Sequence, residues 1–242
     1  MIGARRGIGG PGGINPLLLI GLILLAYGFL RGGLVSPVQN ASQDPIGFVA
    51  WIVALVLGIT VHEFMHAYAA HRLGDDTARL LGRLSLNPMA HLDPFGTLLL
   101  VLAGFGYGKP VPFNESRLRS TMGVTVVALA GPVANLALAA LCAIPLRFAG
   151  SQLLGGGVYE EVLLAIVQLN CILAIFNLIP IPPLDGANVV YGLLPPRQQY
   201  SWRTYQQYGP FLLLFILLLA PGVLATLVFA PARAIIRLLL GV

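Results

Sequence analysis

Residues 46–73 read IGFVAWIVALVLGITVHEFMHAYAAHRL, which has the composition of a membrane-spanning helix apart from a few ionisable side chains. Such side chains are costly at membrane depth and indicate a function by default. In a helix, His62 and His66 are four residues apart and share one face. With Glu63 beside them they form the H-E-x-x-H pattern, in which two imidazoles bind one zinc ion and the glutamate is a general base. The stretch therefore predicts a zinc site inside a membrane helix.

The composition of the whole chain is that of a polytopic membrane protein. Of its 242 residues, 57% are hydrophobic and 10% are charged, whereas soluble proteins average about 45–50% apolar and about 25% charged residues. The net charge of +5 is interpreted as a topology signal at helix ends, and nucleic acid is not an expected partner. Cys142 and Cys171 lie in predicted spans without C-x-x-C spacing, so they predict neither a disulfide framework nor a cysteine–zinc site.

Hydropathy and arginine placement predict about six transmembrane helices in the cell membrane, with both termini cytoplasmic; a count of five is the alternative, because residues 208–220 are short for a crossing. A glycine-rich tail with Arg5 and Arg6 precedes a first span at 16–30, and the span that contains His62 follows. The densest basic cluster of the chain lies between residues 72 and 121, which marks the cytoplasmic side. At about 1.5 Å per residue, His62 lies roughly 22 Å into a hydrocarbon core of roughly 30 Å. The metal site is therefore expected to open toward the cytoplasm.

The loop at 79–110 carries two short apolar segments. Residues 80–86 alternate weakly, and residues 93–105 are apolar but too short for a span. We expect a small re-entrant or β segment here, because irregular backbone at membrane depth must be covered by protein. An edge strand at 80–86 would hold an unwound peptide by β-addition. His91, in the same loop, is interpreted as structural, since a fourth protein ligand would close the position that catalysis needs open.

Two further spans lead to a second polar motif. Residues 122–148 form the third span, where small residues favour close helix packing and Asn135 is able to reach a carbonyl. The fourth span, 162–179, runs into NLIPIPPLDG at 177–186, whose three prolines must break the helix. The break places Asp185 at the membrane face of His62 and His66. A hydrolytic zinc takes three protein ligands, commonly including a carboxylate, so Asp185 is the candidate third ligand.

The paired motifs, His62-Glu63-x-x-His66 and Asn177-x-x-Pro180-x-x-x-x-Asp185-Gly186, resemble those of the site-2 protease family of intramembrane zinc metalloproteases. The resemblance covers residues 46–190, and stretches 82–84, 91–94 and 108–110 resemble a compact prokaryotic branch. It implies one zinc per chain, held by His62, His66 and Asp185. It further implies Glu63 as general base and acid, and Asn177 as a residue that positions the substrate or stabilises the oxyanion. The implied substrates are transmembrane proteins, cleaved within the lipid bilayer.

We therefore expect an all-α protein with a single membrane-embedded protease domain over 1–242. Its parts are a tail and first span at 1–45, a three-helix catalytic core at about 46–190 and C-terminal spans at 191–242. Two apolar runs parted by Pro221-Gly222 predict a hairpin that returns Arg233 and Arg237 to the inner side. No loop exceeds about fifty residues, which leaves no room for a recruiting domain of ordinary size. Substrate choice then rests on the membrane cavity, a homo-oligomeric partner or earlier trimming by another protease.

Two other functions use the same residues. A proton- or metal-translocating transporter also places ionisable groups in the membrane, but the halves show no inverted repeat and the broken helix occurs once. A catalytically inactive scaffold with a structural zinc needs no Glu63 and would normally have a fourth ligand. Three ligands with an adjacent base favour a hydrolase over both.

Overall fold

The computed structural model describes residues 43–94, 96, 108–148 and 157–242. Within these ranges the chain is all-helical, and its β-type pairing there is limited to one isolated bridge between Leu92 and Gly108. The all-α class is thus confirmed for the described part of the chain. Its α-helices are α1 (Pro45–Arg72), α2 (Thr77–Leu80), α3 (Gly123–Phe148), α4 (Val158–Asn177), α5 (Asp185–Leu193), α6 (Pro196–Leu219) and α7 (Pro221–Leu240).

Three of these helices, α1, α3 and α4, are long and apolar enough to cross a membrane. They have 28, 26 and 20 residues, which at about 1.5 Å per residue gives about 42, 39 and 30 Å. Each packs against the other two, and alanine and glycine fill many of their buried positions. Small residues let helix backbones approach closely in lipid. These helices match the predicted three-helix core; the span predicted at 16–30 lies outside the described residues, and six crossings remain a prediction.

Local sequence sets both ends of α1. At the start, the Asp44 carboxylate accepts the Gly47 N–H at 2.8 Å, which satisfies one of the free amides of a helix N-terminus. At the end, Gly74 has a φ of +105°, a conformation that glycine adopts without a steric penalty. The Asp75 N–H then donates to the Ala70 carbonyl. The chain therefore leaves α1 in a tight turn just beyond the histidine motif.

The strand predicted at 80–86 is not formed. Leu80 ends the short helix α2, Gly82 has a φ of +71°, and the Arg83 N–H donates to the Ala78 carbonyl at 2.8 Å. This is the glycine termination of a helical turn, which overrides the weak alternation of the sequence. An edge strand for substrate therefore does not exist at this place. A re-entrant segment at 93–105 falls mostly outside the described residues and stays a prediction.

The break predicted after α4 is confirmed, since α4 ends at Asn177 and α5 begins at Asp185. A Cβ atom at Gly186 would lie 2.2 Å from the Leu178 carbonyl oxygen, so only glycine lets α5 fold back against the end of α4. The next helix, α6, begins at Pro196, because proline fits the first turn of a helix, where its missing N–H has no partner to lose. The next break falls at Ala220, beside the predicted Pro221-Gly222 boundary.

Candidate active site

The two predicted motifs meet where the middle of α1 faces the start of α5. His62 Nε2 lies 3.0 Å from His66 Nε2 and 3.1 Å from Asp185 Oδ2, and His66 Nε2 lies 3.2 Å from the same carboxylate oxygen. Both histidines are buried and Asp185 is partly buried. Among the described residues, these three side chains form the one group of this kind able to hold a metal ion. Helix α1 supplies two of them through its i, i+4 spacing, and the proline-rich break supplies the third.

The other nitrogen of each imidazole fixes how the ring is turned. His66 Nδ1 lies 2.7 Å from the Val127 carbonyl oxygen, which only accepts, so Nδ1 donates. His62 Nδ1 lies 2.6 Å from Asn135 Oδ1. The Asn135 amide nitrogen donates to the Gly58 carbonyl at 3.1 Å, so the oxygen of that amide is the atom that faces His62. With Nδ1 as the donor in both rings, a neutral imidazole at either position directs its Nε2 lone pair at the shared centre.

The donor set fits a zinc ion. Two imidazole lone pairs and a carboxylate oxygen at 3.0–3.2 Å repel one another unless a proton or a metal cation lies between them. Tetrahedral zinc with ligands at about 2.0–2.1 Å places its ligand atoms about 3.3 Å apart, close to these separations. A Cβ atom at Gly131 would lie 2.4 Å from His66 Nε2 and 2.7 Å from His62 Cε1. Helix α3 thus offers a cradle that any side chain at position 131 would fill.

A cavity of about 300 Å³ adjoins the three ligand atoms. Glu63 lines it, and its Oε2 accepts the Val111 N–H at 3.2 Å. Most other lining side chains are apolar, among them Leu55, Ile59, Phe113, Leu173 and Phe176. An apolar cavity with a few convergent polar groups is typical of a small binding or catalytic site. Glu63, the predicted base, therefore lies beside the candidate ligands and lines the same cavity.

Two asparagines add polar groups to the cavity wall. Asn177 lines the cavity and its Nδ2 donates to the Leu173 carbonyl at 3.0 Å, so its oxygen remains available to a bound molecule. Asn188 also lines the cavity, with its Oδ1 3.1 Å from Gln206 Nε2. The sequence interpretation included Asn177 and missed Asn188. One feature of the sequence pointed to Asn188: it lies three residues after Asp185, a spacing that places the two side chains on one face of a helix.

The remaining histidines are outside the ligand group. His91 is fully buried, and its Nε2 lies 2.7 Å from the Ser85 carbonyl oxygen. His71, at the end of α1, lies 2.6 Å from Asp76 Oδ1. The Arg79 guanidinium, followed by His71, lowers the pKa of the Asp76 carboxyl. Both histidines thus stabilise the turns around the site rather than contribute a fourth ligand.

Known proteins resemble the chain over most of its length. The model of peptidase family M50 matches residues 50–152 and 145–220. "Putative zinc metalloprotease YwhC" of Bacillus subtilis is 38% identical over 196 residues, which cover 77% of this chain and 89% of that protein. Rip2 of Mycobacterium tuberculosis, under the same description, is 32% identical over 215 residues, which cover 84% of this chain and 78% of that protein. No solved structure matches the chain at a significant level.

The family match spans α1 to α6, the part of the chain that contains the whole ligand group. Zinc is the metal that the names of both relatives carry, and it is the metal that two imidazoles and one carboxylate fit here. Three apolar helices of membrane length surround this site. On these grounds the chain belongs to peptidase family M50, the site-2 protease family of membrane-embedded zinc metalloproteases.

Proposed function

We propose that this protein is an endopeptidase that hydrolyses peptide bonds in transmembrane segments of membrane-protein substrates, near the cytoplasmic side of the membrane. The observation that carries the proposal is the approach of His62, His66 and Asp185 to within 3.2 Å of one another beside Glu63. Three protein ligands leave a coordination position open, as hydrolysis requires and a structural zinc site does not. Family membership supports the same chemistry.

Each residue of the site has a distinct role in this proposal. His62, His66 and Asp185 hold zinc, which when bound lowers the pKa of water toward about 7 and polarises a carbonyl. Glu63 accepts a proton from the attacking water and returns it to the leaving amine. The Val111 N–H keeps the Glu63 carboxylate at the cavity wall. Asn177 binds the substrate backbone or donates to the oxyanion through its amide.

The hydrogen bonding of a membrane helix favours an unwound substrate. Intrahelical hydrogen bonds shield the peptide carbonyls of such a helix from a catalytic site. A transmembrane substrate must therefore open its helix before a peptide bond reaches the base. Substrates with glycine or proline near the cleaved bond, which unwind more easily, should be cleaved faster.

The position of the motif along α1 supports cleavage near one membrane face. His62 follows the first residue of α1, Pro45, by 17 positions, or about 26 Å of helix. The end of α1 that is nearer to His62 leads into the segment with the densest basic charge. Because lysine and arginine are enriched in cytoplasmic loops, we infer that the site opens toward the cytoplasm.

A glutamate substitution with a matched control tests the proposal. Full-length parent, Glu63→Gln and Glu161→Gln proteins would be reconstituted in lipid, assayed for bound zinc and given membrane-spanning test substrates. Glu161 is exposed at the start of α4, so its substitution controls for loss of a carboxylate. We expect zinc in all three proteins, and cleavage by the parent and Glu161→Gln alone. Cleavage by Glu63→Gln would remove Glu63 from the mechanism. Zinc without cleavage in every protein would favour a scaffold or transporter.

A further inference from the structure

A pair of buried asparagines connects the metal ligands to all three core helices. Asn135 on α3 and Asn170 on α4 are both fully buried, and neither lines the cavity beside Glu63. We propose that Asn135, anchored by Asn170, is a positioning residue of the metal centre: its side-chain oxygen holds the His62 ring in the one orientation and tautomer that present Nε2 to the metal. This inference rests on the ligand role proposed for His62.

Two backbone carbonyls determine the direction of the hydrogen bonds that link Asn170, Asn135 and His62. Asn170 Nδ2 donates to the Ile166 carbonyl at 2.9 Å, so the Asn170 oxygen faces Asn135 and accepts from its Nδ2 at 2.6 Å. Asn135 Nδ2 also donates to the Gly58 carbonyl. Its oxygen is then left for the Nδ1–H of His62. Because a carbonyl oxygen cannot donate, neither amide is able to turn over without losing a bond.

Glycine at position 58 makes the anchoring contact possible. A Cβ atom there would lie 2.9 Å from Asn170 Oδ1 and 3.3 Å from Asn170 Nδ2. Any larger residue on this face of α1 would push Asn170 away and release Asn135 with it. His62 lies four residues after Gly58, one turn along the same face. The close packing of α1 against α4 and the orientation of His62 are therefore coupled.

A neutral amide suits this position in a membrane. Histidines that bind metals usually donate their second N–H to a carboxylate, a backbone carbonyl or water. A further carboxylate here would bury another charge at membrane depth, which is costly. Asn135 supplies the acceptor without the charge, and both of its N–H groups are paired. His66 meets the same need with the Val127 carbonyl, so the two histidines have partners of different kinds.

The test compares Asn135→Leu with Thr60→Val in the full-length protein in detergent micelles. Thr60 is also buried on α1, but among the described residues its hydroxyl bonds only to the Val56 carbonyl of its own helix. Zinc affinity would be measured by competition with a chelator. We expect Asn135→Leu to bind zinc about 10–100-fold more weakly, the usual effect of removing such a partner, and Thr60→Val to bind zinc as the parent does.

Nitrogen-15 NMR of histidine-labelled, zinc-loaded protein supplies a readout that is independent of cleavage. In the parent, His62 and His66 should each give a downfield, hydrogen-bonded Nδ1–H signal. In Asn135→Leu, the signal of His62 should move upfield and exchange faster, while that of His66 should not change. If His62 keeps its signal and zinc affinity matches that of Thr60→Val, the proposal is wrong.

Asn170→Leu provides a second variant in case Asn135→Leu does not fold. It leaves the acceptor of His62 in place but removes the group that anchors Asn135. We expect a smaller loss of zinc affinity than with Asn135→Leu, together with broadening of the His62 Nδ1–H signal. Parent-like affinity and an unchanged signal in Asn170→Leu would overturn the anchoring role of Asn170.

Discussion

Replacing Gly131 with alanine should empty the metal site, although the change adds only a methyl group. The new Cβ atom would lie 2.4 Å from His66 Nε2 and 2.7 Å from His62 Cε1. Ordinary contacts begin at 3.4 Å, so His66 must withdraw by about 1 Å. Metal–ligand distances tolerate deviations of only about 0.2 Å. At least one histidine is therefore lost as a ligand, and zinc affinity should fall about 100-fold or more, which is about 2.8 kcal/mol.

The assay is zinc competition with a chelator, followed by cleavage of a membrane-spanning substrate. Gly222→Ala is the matched control, because a Cβ atom at Gly222 meets no described residue within 4 Å. We expect Gly222→Ala to bind zinc and to cleave as the parent does. Circular dichroism would show that Gly131→Ala keeps its helices. Stoichiometric zinc in Gly131→Ala at parent affinity would refute the assignment of His62 and His66 as joint ligands.

Two further substitutions test the cavity wall and the loop beside it. The Asn188→Leu protein should keep its zinc and cleave about tenfold more slowly, because the amide of Asn188 would no longer bind the substrate backbone. Zinc assays and steady-state kinetics would measure the two quantities. An unchanged cleavage rate would exclude that contact. Asp75 is fully buried and accepts hydrogen bonds from Thr77 and from the Asn114 N–H. Asp75→Asn should destabilise the protein by about 1–3 kcal/mol, and an unchanged melting temperature would contradict this.

Much of the core followed from local sequence signals. The span around His62, the span at 122–148 with its small residues and the proline break before Asp185 each depend on composition and on residues that stop or start helices. Arginine placement put both motifs on one side of the membrane, and the structure brings them into contact. Segment 80–86 was the failure, because Gly82 ends a helical turn there. A weak alternation over seven residues carries less information than one left-handed glycine.

The candidate ligands were predictable from the sequence, whereas the residues that surround them were not. His62 and His66 follow from a fixed helical spacing, and Asp185 from the need for a third ligand. The contact between His62 and Asn135 joins positions 73 residues apart, and no local pattern indicates which face of α3 meets α1. The same holds for the Val111 N–H on Glu63 and for Asn188 in the cavity. Such contacts depend on how the helices pack against one another. That packing results from many small residues acting together, so no short stretch of sequence predicts it.

The buried amides also explain why these helices adopt one register. In lipid, helices gain little from hydrophobic contact with one another, so packing and polar bonds decide their arrangement. Asn135 has three hydrogen-bonding partners on two neighbouring helices. Sliding α1 by one turn, about 5.4 Å, would break the bonds of Asn135 to both Gly58 and His62 and leave buried polar groups unpaired. The contacts that orient His62 thus also penalise other packings of the core helices.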